Sequence, residues 1–147
     1  MSQAQAAAVQ KQQMRLLLEE MAFLGEALAR HEGQPVFVAN GIPGEEVVVE
    51  VRRKGRRYLE AEVVEVVKPS PHRVRAPCPY VGACTGCQWQ HVEYSHQLLL
   101  KSHAVEDQLR RVGKFDDPPV LPTLPCDNPW NYRNHARFTI GPGGQLG

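Results

Sequence analysis

The residues with the most chemistry to offer are three cysteines at C-x5-C-x2-C spacing, in Arg75-Ala-Pro-Cys78-Pro-Tyr-Val-Gly-Ala-Cys84-Thr-Gly-Cys87-Gln-Trp-Gln-His91. Pro77, Pro79, Gly82 and Gly86 bar a continuous helix or strand, yet they let the backbone fold tightly enough to aim several thiolates at one centre. Such a loop suits a metal. Zinc takes Cys and His ligands, and Cys84 and Cys87 followed by His91 would serve; iron-sulfur clusters are held by thiolates, usually four. The third reading is a redox dithiol at Cys84 and Cys87. It needs a helix starting at the first Cys of a βαβ unit, which the surrounding Gly and Pro do not supply.

A second cluster is Arg52-Arg53-Lys54-Gly55-Arg56-Arg57, with five basic residues out of six. A run of this kind is either a solvated hairpin tip or a phosphate-backbone contact. The single sign of the charge favours phosphate, as do Lys68, Arg73 and Arg75, which follow with no neighbouring acid after Glu65.

The elements that must carry these residues are mostly strands. Residues 1–13 are Ala- and Gln-rich without an apolar face and read as a disordered tail. From Met14, short alternating runs separated by turn residues give five strands: Met14 to Glu20, Gly25 to Arg30, Gln34 to Val38, Glu46 to Arg52, and Tyr58 to Val67. In the fourth, Val47, Val49 and Val51 share a face. The fifth slips phase, with Leu59, Ala61 and Val63 on one side and Val64 and Val66 on the other, so a bulge near Val63 is expected to turn both sets toward the core. Five short strands predict a small OB-like barrel over residues 14–68, a fold known for oligonucleotide-binding loops.

The cysteine loop then occupies 69–92. A helix is expected over 93–113, with Ser95 as N-cap, Leu98, Val105, Leu109 and Val112 on a core face, and Gly113 at the stop. His96 and His103 fall on its outside. Residues 114–129 hold five prolines and form an extended connector carrying Cys126. Residues 130–147 open a strand at Trp130 and a turn at Gly141, and the chain looks cut off there, because a lone hairpin edge is rarely tolerated.

The 147 residues, 42% hydrophobic and 22% charged with a net charge of +1, suit one ordinary or two small soluble domains. No apolar run approaches the roughly 20 residues that span a bilayer, and the first ten residues lack the features of a secretory signal. A cytoplasmic monomer away from membranes is therefore expected. In that reducing compartment clustered cysteines favour metal ligation over disulfides.

These features together resemble the N-terminal region of bacterial RNA uracil-5-methyltransferases that carry a TRAM domain and a 4Fe-4S cluster and act on 23S ribosomal RNA. The resemblance runs from about Met14 onward. It rests on Phe23-Leu-Gly-Glu-Ala-Leu-Ala-Arg30, Ile42-Pro-Gly-Glu45, Lys68-Pro-Ser-Pro-His-Arg73, Tyr132-Arg-Asn-His-Ala-Arg-Phe138 and above all the cysteine loop. It implies that Cys78, Cys84 and Cys87 are cluster ligands, that the fourth ligand lies further along, and that Cys126 is not at the ligand position. It also implies an S-adenosylmethionine-dependent methyl transfer to C5 of a flipped-out uridine, performed by a C-terminal domain that this chain does not include. No catalytic or S-adenosylmethionine-binding residue is assigned here.

What the resemblance leaves to this chain is RNA recognition, through Arg53, Lys54, Arg56 and Arg57 and through Arg133, Asn134 and Arg137. Tyr132 or Phe138 is either a base-stacking platform or part of a core. The competing reading is a standalone nucleic-acid-binding protein with the same barrel and a structural zinc.

Overall fold

A computed structural model describes residues 12–82, 84, 86–135, 138, 140, 141 and 143–145. The chain divides into two units, residues 1–73 and 74–147.

The first unit is a single sheet of six strands: β1 (Gln13–Leu17), β2 (Glu20–Met21), β3 (Ala27–His31), β4 (Gln34–Ala39), β5 (Glu46–Lys54) and β6 (Leu59–Lys68). The strand order is β1-β5-β6-β4-β3-β2, antiparallel throughout except for β4 beside β6. The expected first strand is thus two. The chain breaks at Leu18-Glu19, where Leu18 N–H turns to Glu45 O (2.9 Å) and Glu19 N–H to Leu28 O (2.8 Å). One bent run therefore pairs with β5 on one side and β3 on the other, which closes the sheet on itself and leaves no long free edge.

The interior follows from the two-residue period. Met14 and Leu16 of β1, Val36 and Val38 of β4, Val47, Val49 and Val51 of β5, and Leu59 and Ala61 of β6 form one buried cluster with Leu18, Ala27 and Ala29. The face expected for Val47, Val49 and Val51 is the buried one. Of two irregularities on β6, one passing over Val67, the other falls one residue beyond Val63: the pairing with β5 jumps from Glu65 to Val63, and Val64 is the residue passed over. The consequence differs from expectation. Val63 and Val66 pack against the core, whereas Val64 is exposed, because the extra residue restores the phase by being pushed outward itself. At the turn before β5, Gly41 has no room for a side chain, since a Cβ there would collide with Leu18 Cδ1.

Of the tail assigned to residues 1–13, positions 1–11 lie outside the described residues. Gln13 begins β1, and Gln12 O accepts from Val51 N–H (3.0 Å).

The second unit has one helix, α1 (Tyr94–Arg111), and no strand among its described residues. Its N-cap is Glu93, two residues before the expected Ser95, because the turn ending at Val92 hands the chain straight into the helix. Arg110 and Arg111 lie in the last turn, favourably placed for the helix dipole, and pair one turn back with Glu106 (2.8 Å) and Asp107 (2.5 Å). The expected core face is corrected. Leu100 is the buried residue of α1, while Val105 and Val112 are 53% and 74% exposed. Leu98 and Leu109 of that stripe are half-buried. Of the strand expected from Trp130, residues 131–135 run as irregular chain and Ile140 forms a single β-bridge, while residues 136, 137 and 139 lie outside the described residues.

Candidate metal loop and nucleic-acid interface

The cysteine loop is pinned at both ends by backbone and amide groups of its own unit. Val74 N–H donates to His91 O (2.9 Å) and Cys78 N–H to Gln90 Oε1 (3.3 Å), so entry and exit of the loop lie side by side. Gln97, on the first turn of α1, donates to Trp89 O (3.0 Å) and Val92 O (2.9 Å), tying the exit to the helix. Within the loop, Val81 N–H reaches Cys78 O (3.4 Å) and Cys84 N–H reaches Tyr80 O (2.8 Å). Gly82 sits at φ 94°, a left-handed conformation that glycine adopts without strain. His91, the alternative zinc ligand, is buried beneath the loop exit.

All four cysteines are free thiols; Cys84, Cys87 and Cys126 are exposed and Cys78 is half-buried. Gly86 N–H donates to Cys84 Sγ at 3.4 Å, the kind of backbone contact that stabilises thiolate and tunes an iron-sulfur centre. Among the described residues no three His, Cys, Asp or Glu side chains are gathered as a metal group. The donor chemistry fits thiolate-bound iron: three free sulfurs lie within one short, pinned loop, and a backbone donor is already aimed at one of them.

The second unit also holds a cleft of about 930 Å³ that runs past this loop. Cys87 lines it beside Trp89, and the far wall is Cys126, Trp130, Tyr132 and Arg133. Arg75 and Lys101 add positive charge, and Gln88, Gln90, Gln97 and Asn131 supply amide donors and acceptors. Cys126 is fixed by its N–H to Tyr94 Oη (2.7 Å), with its thiol on Asn128 O (3.2 Å). The Arg133 guanidinium lies 5.9 Å from the centre of the Tyr132 ring, within cation-π range. Tyr132 and Phe138 are 70% and 67% exposed, so neither serves as core among the described residues. Flat aromatic faces, guanidinium and amide groups around one trench suit an unstacked nucleobase and its phosphate. Asn134 is exposed near the end of that wall; Arg137 lies outside the described residues.

In the first unit the basic run turns out to be two populations. Arg52 binds Glu50 (2.6 Å) and Glu62 (2.8 Å), and Arg53 binds Glu60 (3.1 Å). Lys54, Arg56 and Arg57 are exposed, with no ion pair among the described residues, around a turn closed by Gly55 N–H on Tyr58 O (3.0 Å). The free charge for a phosphate backbone is therefore concentrated at Lys54, Arg56 and Arg57.

Arg73 also has an acid. It grips Glu45 through Nε to Oε1 (2.5 Å) and Nη2 to Oε2 (2.7 Å), and it donates to Asn40 O (2.8 Å). The Glu45 side chain is 0% exposed and accepts further from Ile42 N–H (3.0 Å) and Ser70 N–H (3.1 Å). Burial would push this carboxyl up, but the Arg73 hydrogen bond, the Ser70 and Ile42 amides and the guanidinium charge outweigh it and hold it below the ordinary carboxylate range. This pair joins the turn before β5 to the chain leaving β6. Sequence reading missed it because 28 residues separate the partners and nothing local links them.

Comparison with known proteins adds the family context. The TRAM domain profile matches residues 10–64. Proteins named uncharacterized RNA methyltransferases match most of the chain. One from Bacillus cereus is 37% identical over 86% of this chain, and one from Halalkalibacterium halodurans is 35% identical over 96%. Another, from Listeria monocytogenes, is 41% identical over 86%. These matches cover 27%, 31% and 28% of those proteins, so the chain spans less than a third of the curated relatives it matches. No helix among the described residues is long and apolar enough to cross a membrane. A mainly β unit that matches the TRAM domain profile over residues 10–64, continued by sequence similar to these relatives, is what the chain has in common with proteins named RNA methyltransferases.

Proposed function

We propose that this chain is the RNA-recognition and iron-sulfur portion of an S-adenosylmethionine-dependent enzyme that makes 5-methyluridine in 23S ribosomal RNA. The observation that carries the reading is the pinned three-thiol loop, whose Cys87 shares a cleft with Trp89, Trp130, Tyr132 and Arg133. Aromatic faces beside cations take an unpaired base, and Lys54, Arg56 and Arg57 hold the backbone of the same class of ligand. The names of the relatives, RNA methyltransferases, support the reaction class.

Cys78, Cys84 and Cys87 would hold the 4Fe-4S cluster, with Gly86 N–H supporting the Cys84 sulfur; the fourth ligand is left unassigned, and Cys126 is not proposed for it. The cluster, when bound, supplies a rigid thiolate-iron crosslink rather than electrons, because methyl transfer moves no net electrons. This chain binds and orients RNA and contributes no catalytic residue. S-adenosylmethionine belongs to a further domain of the enzyme, which works in the cytoplasm as a monomer.

Deleting the gene and digesting the 23S RNA to nucleosides tests the proposal. One 5-methyluridine is expected to vanish on mass spectrometry and to return on complementation. An unchanged 5-methyluridine content in 23S RNA contradicts the reaction and the substrate together.

A further inference from the structure

On the outer face of the barrel a cavity of about 330 Å³ is lined by Leu24, Glu26, Phe37, Tyr58 and Glu60. The register explains its composition. Phe37 of β4 lies opposite Glu60 of β6, and because Val36 and Val38 point inward, Phe37 and Glu60 both point out. Tyr58 stands just before β6 with its ring edge-on to Phe37, centroids 5.5 Å apart and planes at 85°. Two aromatic faces thus meet at a right angle beside two carboxylates. Leu24, at the rim, and its neighbour Phe23 are each 68% exposed.

The electrostatics of this corner are unbalanced. Glu60 uses one oxygen on Arg53 (3.1 Å); Glu26 has no cation among the described residues. Burial, and then the charge of Glu60, push the Glu26 carboxyl up, so the fold holds two acids close together in apolar surroundings. An aromatic corner faced by carboxylates is the arrangement that attracts an organic cation, through ring quadrupoles and ion pairing at once.

We propose that this cavity is a docking site for an arginine side chain of a basic protein segment, with the guanidinium between Glu26 and Glu60 and its stem against Phe37 and Tyr58. Charge complementarity selects the occupant. The exposed Phe23 and Leu24 beside it select a peptide with apolar neighbours over a free metal or small amine, since they add contact area that only a chain can cover. The planar guanidinium suits both carboxylates and aromatic stacking better than a lysine ammonium does. The Tyr58 ring also stands against the turn that carries Lys54, Arg56 and Arg57, 3.6 Å from where a Cβ on Gly55 would lie.

The test uses the full 147-residue chain and a short capped peptide with one arginine flanked by leucines, followed by NMR. Saturable shifts at Leu24, Phe37 and Tyr58 are expected. Replacing arginine by citrulline, which keeps the shape and removes the charge, should weaken binding at least tenfold, as should Glu26→Gln combined with Glu60→Gln. Glu65→Gln, an exposed acid elsewhere on β6, should leave affinity unchanged. Equal affinity for the citrulline peptide, or no saturable shift at these residues, overturns the proposal, and the citrulline arm does so without any change to the protein.

Discussion

Glu45 shows how much of this barrel rests on one carboxylate. It is fully enclosed and receives four hydrogen bonds, two of them from Arg73. Removing the charge leaves a guanidinium that is mostly desolvated, and breaking such a pair costs on the order of 3 kcal/mol. Glu45→Gln is therefore expected to lower the urea midpoint of unfolding markedly at neutral pH. Because the folded carboxyl titrates below its unfolded value, its contribution is fully present above the ordinary carboxylate pKa of about 4.3. It fades as pH falls through the lower, folded value. The gap between wild type and Glu45→Gln should thus persist at pH 6 and narrow in acid, and a gap independent of pH would show that the carboxylate charge is not what matters. Both partners stood in stretches that resembled family motifs, Ile42-Pro-Gly-Glu45 and Lys68-Pro-Ser-Pro-His-Arg73. That they form one contact became visible only when β5 and β6 brought them together.

At the scale of elements, the strands were legible because half-buried strands announce themselves with a two-residue period, clearest at Val47, Val49 and Val51. The break at Leu18-Glu19 was not, since no Gly, Pro, Asn or Asp marks it and only the pairing with β5 and β3 reveals the bend. The helix was legible in extent, but its face was misjudged. Leu98, Val105, Leu109 and Val112 satisfy the helical period, yet periodicity cannot say whether a partner surface is present to bury them. The basic run does form a turn between β5 and β6, but the acids that pair with Arg52 and Arg53 from cross-strand positions on β6 could not be seen in the run itself. Substituting Lys54, Arg56 and Arg57 together with serine should weaken binding of single-stranded RNA and reduce the slope of log K against log salt by about 2, the loss expected for three phosphate contacts. Arg53→Ser alone should change the slope little, since Glu60 already holds that side chain. Equal slopes for wild type and the triple variant in a filter-binding titration would reduce the turn to a solvated tip.

At the scale of the whole molecule, the proposed function gives the two units different means of holding RNA: the barrel would use point charges on an exposed turn, the second unit aromatic faces and guanidinium around a cleft. Tyr132→Ala should accordingly cost roughly 1–3 kcal/mol in affinity for unpaired RNA with little change in salt slope, and a loss confined to the slope would contradict stacking. The cysteine spacing was the most legible feature of the candidate site, because ligand chemistry depends on residue type and short separations. The cleft was not legible, since Lys101, Trp89 and Trp130 come from segments that only folding brings together. The central claim is that the pinned loop holds iron through Cys78, Cys84 and Cys87. It is tested most directly by purifying the protein without oxygen and measuring iron, acid-labile sulfide and zinc per chain, together with absorbance near 400 nm, on the order expected for thiolate-bound clusters. Brown protein with about four irons and four sulfides per chain, lost on Cys84→Ala, is the predicted result. Colourless protein with stoichiometric zinc, or iron retained after Cys84→Ala, would contradict it.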